Sequence, residues 1–453
     1  MNIIYLHSHD TGRYLQPYGH AVPAPNLQQL AEDGVLFRKA FNAAPTCSPS
    51  RACLLTGESA HSNGQLGLAN RGIYLAHPEH HLANFLAGHG YRTALCGIQH
   101  LVLDPRDLGY EWIVEAGSPT TQDGVGITDA AVEFIHSQHD RPFFLDIGYF
   151  ETHRVFPEPG PDEDPRYTLP PAPLPDTPET RYDMAAFKRM AKMLDDHIGR
   201  VLVALDETGL ADNTLFIYTT DHGLAFPGMK CTLTDHGMGV ALIARGPSGF
   251  AGGKVVDGMI SQIDLFPTLC DLIGVQQPDW LEGRSFLPLV DGEVAEVNEE
   301  IFGEVTYHAA YEPKRAVRTQ RWKYIRRFDD RPITTMPNID NGASKQFLMA
   351  HGLAQHPVHP EALYDLIYDP NEAANLVNDP AYAEVLVEMR ARLDAWMQRT
   401  DDPLLRGAVA EPGHPFADHP DAPHPAGVDA AIKPAWFTRE KLDIRTYGLN
   451  DFF

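Results

Sequence analysis
Ala44-Pro45-Thr46-Cys47-Ser48-Pro49-Ser50-Arg51-Ala52-Cys53-Leu54-Leu55-Thr56-Gly57 is the stretch from which the rest of the chain can be read. The Ser48 hydroxyl can accept a hydrogen bond from an amide one turn ahead, which makes Ser48 an N-cap. Pro49 then takes the first helical position, where its missing amide costs nothing. Ala52, Leu54 and Leu55 carry the helix on, and Gly57 can end it. Cys47 therefore falls just before a helix start, where unpaired amides and the helix dipole attract an anion. A lone cysteine is usually a buried structural thiol. The residues around this one point to chemistry.

Cys47-Ser48-Pro49-Ser50-Arg51 resembles the Cys-x-Pro-x-Arg signature of the type I sulfatases, and Leu54-Leu55-Thr56-Gly57 continues the likeness. The resemblance implies an α/β, alkaline-phosphatase-like fold: a mainly parallel sheet sandwiched by helices, with a smaller C-terminal antiparallel-sheet subdomain. It also implies a maturation partner, a formylglycine-generating enzyme that oxidises Cys47 to formylglycine, which hydrates to a geminal diol. One hydroxyl of the diol attacks sulfur and expels the alcohol or amine. The other then loses a proton, and sulfate is eliminated as the aldehyde re-forms. A serine could be sulfated but would lack that exit.

The chain has 453 residues, 43% of them hydrophobic, enough for one large or two modest soluble domains. No apolar run is long enough to cross a bilayer, so no membrane association is expected. The first six residues lack the basic region of a signal peptide, and the expected location is the cytoplasm. The five cysteines, Cys47, Cys53, Cys96, Cys231 and Cys270, are scattered and show no Cys-x-x-Cys pair, so neither a disulfide framework nor a zinc ribbon is indicated. A formal net charge of −25 speaks against nucleic acid as a partner. It also offers no long-range attraction to a polysulfated polymer. A small sulfated substrate entering a locally positive pocket fits better.

Along the chain, residues 3–6 read as a buried strand and 25–33 as a helix stopped by Gly34. Helices follow at 81–89 and 128–137, and strands at 91–97 and 142–149. Residues 155–178, dense in Pro, Asp and Glu, read as an irregular loop. A long amphipathic helix spans 184–207, and strands follow at 214–218 and 240–245. This alternation indicates a mainly parallel sheet covered on both faces. From residue 301 the texture changes: 315–328 alternates like one strand of a smaller antiparallel sheet. Residues 381–400 form a helix with Val385, Leu386, Met389, Leu393 and Trp396 as its buried stripe. The expected division is a catalytic domain over 1–300, a C-terminal subdomain over 301–403 and an extended tail over 404–453. The tail can lie on the body or on a second subunit, which leaves a homo-oligomer open.

Several polar groups each follow a predicted strand, where ligand sites gather in open α/β sheets. His9 and Asp10 follow the first strand; Asp221 and His222, in Thr219-Thr220-Asp221-His222-Gly223, follow the central one. Such a pair of acidic strand ends suits a divalent cation facing sulfate oxygens. Oxygen ligands suit calcium or magnesium, while imidazole tilts the choice toward manganese or zinc. By the resemblance, calcium comes first and manganese is the alternative. Asp10, Asp221 and His222 fall on the family's metal positions, and His9 stands where the family carries its first Asp.

The resemblance assigns further roles. Lys230, in Gly228-Met229-Lys230, matches the lysine that contacts the sulfate, and Arg51 would hold the diol. His153 matches the histidine that protonates the leaving group, and His100 the base for elimination. Sulfatases commonly carry a lysine where this chain has Ile98, so one cation is missing from the expected pocket. His236 is a further pocket candidate. Glu304-Val305-Thr306-Tyr307 through Pro313, Arg315 and Val317-Arg318-Thr319, together with Phe226-Pro227, resembles the heparan N-sulfatase (sulfamidase) subgroup. Glu304, Tyr307 and His308 are therefore candidate substrate contacts. The expected activity is metal-dependent hydrolysis of a sulfate ester or sulfamate of a small, sugar-like substrate. The rivals are a phosphonate monoester or phosphodiester hydrolase on the same scaffold, and a sulfatase-like binding protein whose cysteine is never converted.

Overall fold
The first strand feeds two cores at once. β1 (Asn2–Ser8) sends Ile4 and Leu6 to one face and Ile3 and Tyr5 to the other, as the two-residue period of a strand requires. The computed structural model describes residues 1–114, 124–410 and 417–425. Within them β1 lies near the middle of a sheet formed with β2 (Val35–Phe37), β3 (Arg92–Gly97), β4 (Trp112–Val114), β5 (Phe143–Gly148), β6 (Thr214–Thr220), β7 (Leu242–Arg245) and β8 (Lys254–Val256). The strand order is β4-β3-β5-β1-β6-β7-β2-β8. β7 runs antiparallel to both neighbours, and every other pairing in this sheet is parallel. Both faces of β1 and β6 are buried, which is why they read as continuous apolar runs.

Helices cover the two faces. α1 (Pro25–Asp33) packs with Leu27 and Leu30 on the side of Ile4 and Leu6. α2 (Cys47–Thr56) and α3 (Leu82–Gly88) pack on the side of Ile3 and Tyr5. α4 (Val125–His136) and α5 (Pro178–Glu207) join α1, and α6 (Leu265–Ile273) joins α2. A second sheet, β9 (Glu300–Tyr307), β10 (Tyr311–Thr319), β11 (Trp322–Arg327) and β12 (Glu361–Asp365), is antiparallel throughout. One of its faces is covered by α7 (Ala383–Arg399), whose Leu386, Met389, Leu393 and Trp396 meet Val317, Tyr324 and Leu363. The other face, through Ile301, Val305 and Ala316, packs on Phe41, Leu233 and Met238.

Three expectations are corrected. Cys47 is the first residue of α2 rather than the residue before it; Thr46 is the extended N-cap, with no side-chain capping bond. Pro49 tolerates this shift because it still lies in the first turn, where amides have no intrahelical partner. The Ser48 hydroxyl instead accepts the Ala69 amide at 3.1 Å. The single strand expected over 315–328 is a hairpin: the chain turns at Gln320-Arg321, and the Trp322 amide bonds the Thr319 hydroxyl at 3.0 Å. The long helix begins at Pro178, capped by Thr177, a Thr-Pro start hidden at the end of a proline-rich loop. In the tail, Asp418 makes a parallel bridge with Ala310 and its carboxylate binds Arg71 at 3.1 Å. The segment Asn450 to Phe453 lies outside the described residues.

Buried charge in the second sheet makes stability depend on pH. Glu312 on β10 meets Lys314 at 2.9 Å, Arg327 at 2.8 Å and the Asn338 amide at 3.0 Å. Burial alone would raise its carboxyl, but the two cations outweigh it and hold it at about 2 against an ordinary 4.5. A depressed carboxyl contributes stability above its unfolded value and loses it as pH falls through the folded one. Glu312→Gln should therefore lower denaturant-measured stability at pH 7 by about 1–3 kcal/mol. The gap from the unsubstituted chain should narrow as pH falls from 4.5 toward 2.

Candidate active site
Four neighbouring strands, β3, β5, β1 and β6, end at one edge and each delivers a polar side chain there. His9 and Asp10 follow β1, and Asp221 and His222 follow β6. His100 follows β3, and His153 follows β5. The first turn of α2 contributes Cys47, the second Arg51. The Asp10 amide donates to Asp221 Oδ1 at 2.8 Å, and the His222 amide donates to the same oxygen at 2.9 Å. Cys47 Sγ lies 3.4 Å from His222 Nε2, which lies 3.2 Å from Asp10 Oδ1. Arg51 donates to Asp221 Oδ2 at 3.1 Å. Lys230 bridges Asp10 Oδ2 at 3.2 Å and Asp340 Oδ2 at 3.3 Å. All of these residues are buried.

The backbone wraps these groups tightly. The His9 amide bonds the Glu151 carbonyl at 2.9 Å, and the Thr152 amide bonds the His9 carbonyl at 2.8 Å. His153 thus lies edge-on to His9, with ring centroids 5.5 Å apart. Asp10 and His100 both adopt left-handed backbone, φ 51° and 59°. For side chains of their kind this costs on the order of 1–3 kcal/mol and clusters at functional sites.

Burial and charge set the protonation states. Burial pushes the Cys47 thiol far up, so the side chain stays a thiol and is no thiolate nucleophile. Burial would raise Asp221 too, but His222, Arg51 and His9 hold it well below the usual carboxylate range. Burial would lower Lys230, but Asp10 and Asp340 hold the ammonium charged. Burial lowers His9, His100 and His153, which leaves these imidazoles neutral.

The expected residues do not all converge. His308, just past β9, is buried, and burial and the nearby Lys230 charge both lower it. Glu304 is instead engaged at 2.9 Å by His61 and at 3.2 Å by Arg315. The Tyr307 hydroxyl donates to the Val409 carbonyl at 3.3 Å. His236 Nδ1 lies 2.9 Å from the Tyr14 hydroxyl. Ile98 is 4% exposed at the end of β3. Sequence reasoning missed Asp340, and it missed a second layer behind Arg51: His7 at 2.5 Å, and beyond it Asp146, 3.0 Å from His7 and bonded by the Tyr110 hydroxyl at 2.5 Å. It also missed Asn70, whose Oδ1 lies 3.2 Å from His100 Nε2. His7 and Asp146 could have been found as polar residues inside apolar strands. No spacing links residue 340 to residue 230.

Residues 1–275 match the family model described as Sulfatase. The chain belongs to the sulfatase family. It is thus a hydrolase of sulfuric esters. Residues 229–342 also match the model described as N-sulphoglucosamine sulphohydrolase, C-terminal. The N-sulphoglucosamine sulphohydrolase of Homo sapiens is 29% identical over 89% of this chain and 91% of its own length. An ulvan-active sulfatase of Formosa agariphila is 30% identical over 91% of this chain and 82% of its own. The phosphonate monoester hydrolase of Agrobacterium radiobacter shares the fold, with a TM-score of 0.69 at 21% identity, over 91% of this chain and 100% of that one.

The donor set of this sulfatase fits a divalent cation. His9, Asp10, Cys47 and Asp221 place ligand atoms within 4.8 Å of one another. Neither ring nitrogen of His9 has a hydrogen-bond partner, nor does Asp10 Oδ1, although all are buried. Buried polar atoms are normally satisfied, and a bound cation would satisfy these. Among the described residues, no helix is long and apolar enough to cross a membrane.

Asp340→Asn leaves Lys230 with Asp10 as its one remaining carboxylate among the described residues. The expected result is a loss of about 1–3 kcal/mol in denaturant-measured stability. Asp340→Glu should recover part of it.

Proposed function
We propose that this sulfatase hydrolyses a sulfate ester or sulfamate of a small sulfated sugar, with formylglycine at position 47 as nucleophile and a divalent cation beside it. The observation that carries the reading is the enclosure of Cys47 by Asp10, Asp221, His222, Arg51 and Lys230 at the mouth of the sheet. The sugar part of the reading draws on the relatives: one is named for N-sulphoglucosamine and another for ulvan. When formed, hydrated formylglycine would supply a hydroxyl nucleophile and, in the second hydroxyl, the means of releasing sulfate. The cation, held by His9, Asp10, Asp221 and His222, would polarise the sulfate oxygens.

The remaining work falls to this chain's own side chains. Lys230, pinned between Asp10 and Asp340, aims its ammonium at the sulfate oxygens without having to reorganise. Arg51, held by Asp221 and His7, fixes the orientation of residue 47 from the same helix. His153 donates Nδ1–H to the Arg154 carbonyl at 2.6 Å and turns Nε2 toward Asp10 Oδ2 at 3.9 Å, so Nε2 has to take up a second proton, beside that carboxylate, before it can protonate the leaving group. His100, with Nε2–H donated to Asn70 Oδ1, keeps Nδ1 as the proton acceptor for the release step. Both tautomers are assigned from the hydrogen-bond partners. Maturation by a formylglycine-generating enzyme and a cytoplasmic location belong to the same proposal.

Co-expression with a formylglycine-generating enzyme should lower the mass of the peptide spanning Cys47 by about 18 Da. The matured chain should hydrolyse N-sulfoglucosamine or an aryl sulfate faster than phenylphosphonate. Cys47→Ala should reduce the rate by about a thousandfold or more. Faster phosphonate turnover, or full activity without the mass change, would defeat the reading. His153→Ala should cost about a hundredfold on a poor alkyl leaving group and less on p-nitrophenyl sulfate, whose oxygen needs no proton.

A further inference from the structure
We infer that the cation of this site is a first-row transition metal, zinc or manganese, rather than calcium, and that His9 and His222 bind it through nitrogen beside the carboxylates of Asp10 and Asp221. The inference rests on the sulfatase reading for the existence of the cation and on this chain's own donors for its kind.

Calcium requires six to eight oxygens in a loose shell. Most carboxylate oxygens near residue 47 are already engaged. Asp221 Oδ1 accepts two backbone amides, and Asp221 Oδ2 faces Arg51 at 3.1 Å. Asp10 Oδ2 faces Lys230 at 3.2 Å, and Lys230 in turn occupies Asp340. That leaves Asp10 Oδ1 and the outer side of Asp221 Oδ2, so a calcium ion here would draw most of its six to eight oxygens from water and substrate.

Nitrogen, by contrast, is in surplus. His9 is buried, its Nδ1 lies 3.1 Å from Asp221 Oδ2, and its Nε2 has no hydrogen-bond partner. Leaving such an imidazole unmatched is costly unless something electropositive sits against it. His222 is oriented as metal-binding histidines are: Nδ1 donates to the Gly223 carbonyl at 3.0 Å, which turns the Nε2 lone pair toward Asp10 and Cys47. The His9 imidazole and the Asp10 and Asp221 carboxylates, whose ligand atoms lie within 4.8 Å of one another, with His222 Nε2 3.2 Å from Asp10 Oδ1, make a mixed donor set that suits first-row transition cations better than calcium.

The test uses the full chain carrying Cys47→Ala, so that the thiol cannot bias the result. The chain is stripped with chelator and loaded separately with Zn2+, Mn2+ and Ca2+. Metal analysis, calorimetry and the thermal midpoint should show Zn2+ or Mn2+ bound at least about tenfold more tightly than Ca2+, the scale on which even outer-shell partners of a ligand matter. Pulsed electron paramagnetic resonance of the Mn2+-loaded chain should show nitrogen modulation from imidazole. His9→Asp should weaken that modulation and move the preference toward Ca2+. Calcium binding as tight as either transition metal, or a Mn2+ spectrum without nitrogen coupling, overturns the inference. If His9→Asp does not fold, the spectrum of the His9 chain decides alone. None of these readouts needs turnover, so a chain that binds zinc as inferred yet cleaves no sulfate ester after maturation defeats the substrate proposal only.

Discussion
The hydrogen bond from the Asp10 amide to Asp221 Oδ1, 2.8 Å long, joins the ends of two strands that are 211 residues apart in sequence. It exists because β1 and β6 pair in parallel, with Ser8 opposite Thr220, so that the next residue of each chain leaves the sheet at the same place. Two carboxylates are thereby forced together in a water-poor setting, where burying one unpaired charge costs several kcal/mol. Arg51 and Lys230 answer them, and each cation is held in turn by a further buried group, Arg51 by His7 and Lys230 by Asp340. The chain of compensation continues through His7 to Asp146 and Tyr110. A site of this kind is rigid because no member can leave without exposing another charge.

That rigidity explains why strain is tolerated where it is. Asp10 and His100 hold left-handed backbone, uncommon for any residue but glycine. Hydrogen bonds to residues of other segments hold both positions. Asp10 is fixed by Asp221, and His100 by Asn70. The two cores of the main sheet, one around Ile4 and Leu6 and one around Ile3 and Tyr5, supply the stability against which such local costs are set.

Local pattern carried the fold far in the sequence. The limits of α1, and β1 and β6 as buried strands, follow from apolar runs and their punctuation. Cys47, Asp10, Asp221 and Lys230 are legible because a short motif or a strand end marks each of them. What escaped depends on contacts between distant segments. Thr319 and Trp322 close a hairpin inside what reads as one alternating strand, because alternation continues unbroken across a tight turn. Glu304 looks like a pocket carboxylate until His61 and Arg315 are seen to neutralise it. Asp340 carries no pattern at all; it meets Lys230 only in the folded chain.

The departures from the sulfatase pattern make sense together when charge is counted. His9 stands where a carboxylate is expected, which removes one negative charge, and Ile98 stands where a lysine is expected, which removes one positive charge. The two positions lie at the ends of β1 and β3, on either side of β5 in the same sheet edge. Ile98 is sealed at 4% exposure, and its amide bonds the Gly148 carbonyl at the end of β5 at 3.1 Å. A buried pocket that lost the lysine alone would keep an excess of carboxylate that repels an anionic sulfate. A neutral imidazole in place of the carboxylate restores the formal balance. The formal charge at this sheet edge is thus the same as with a carboxylate and a lysine at the two positions, although the groups that carry it differ.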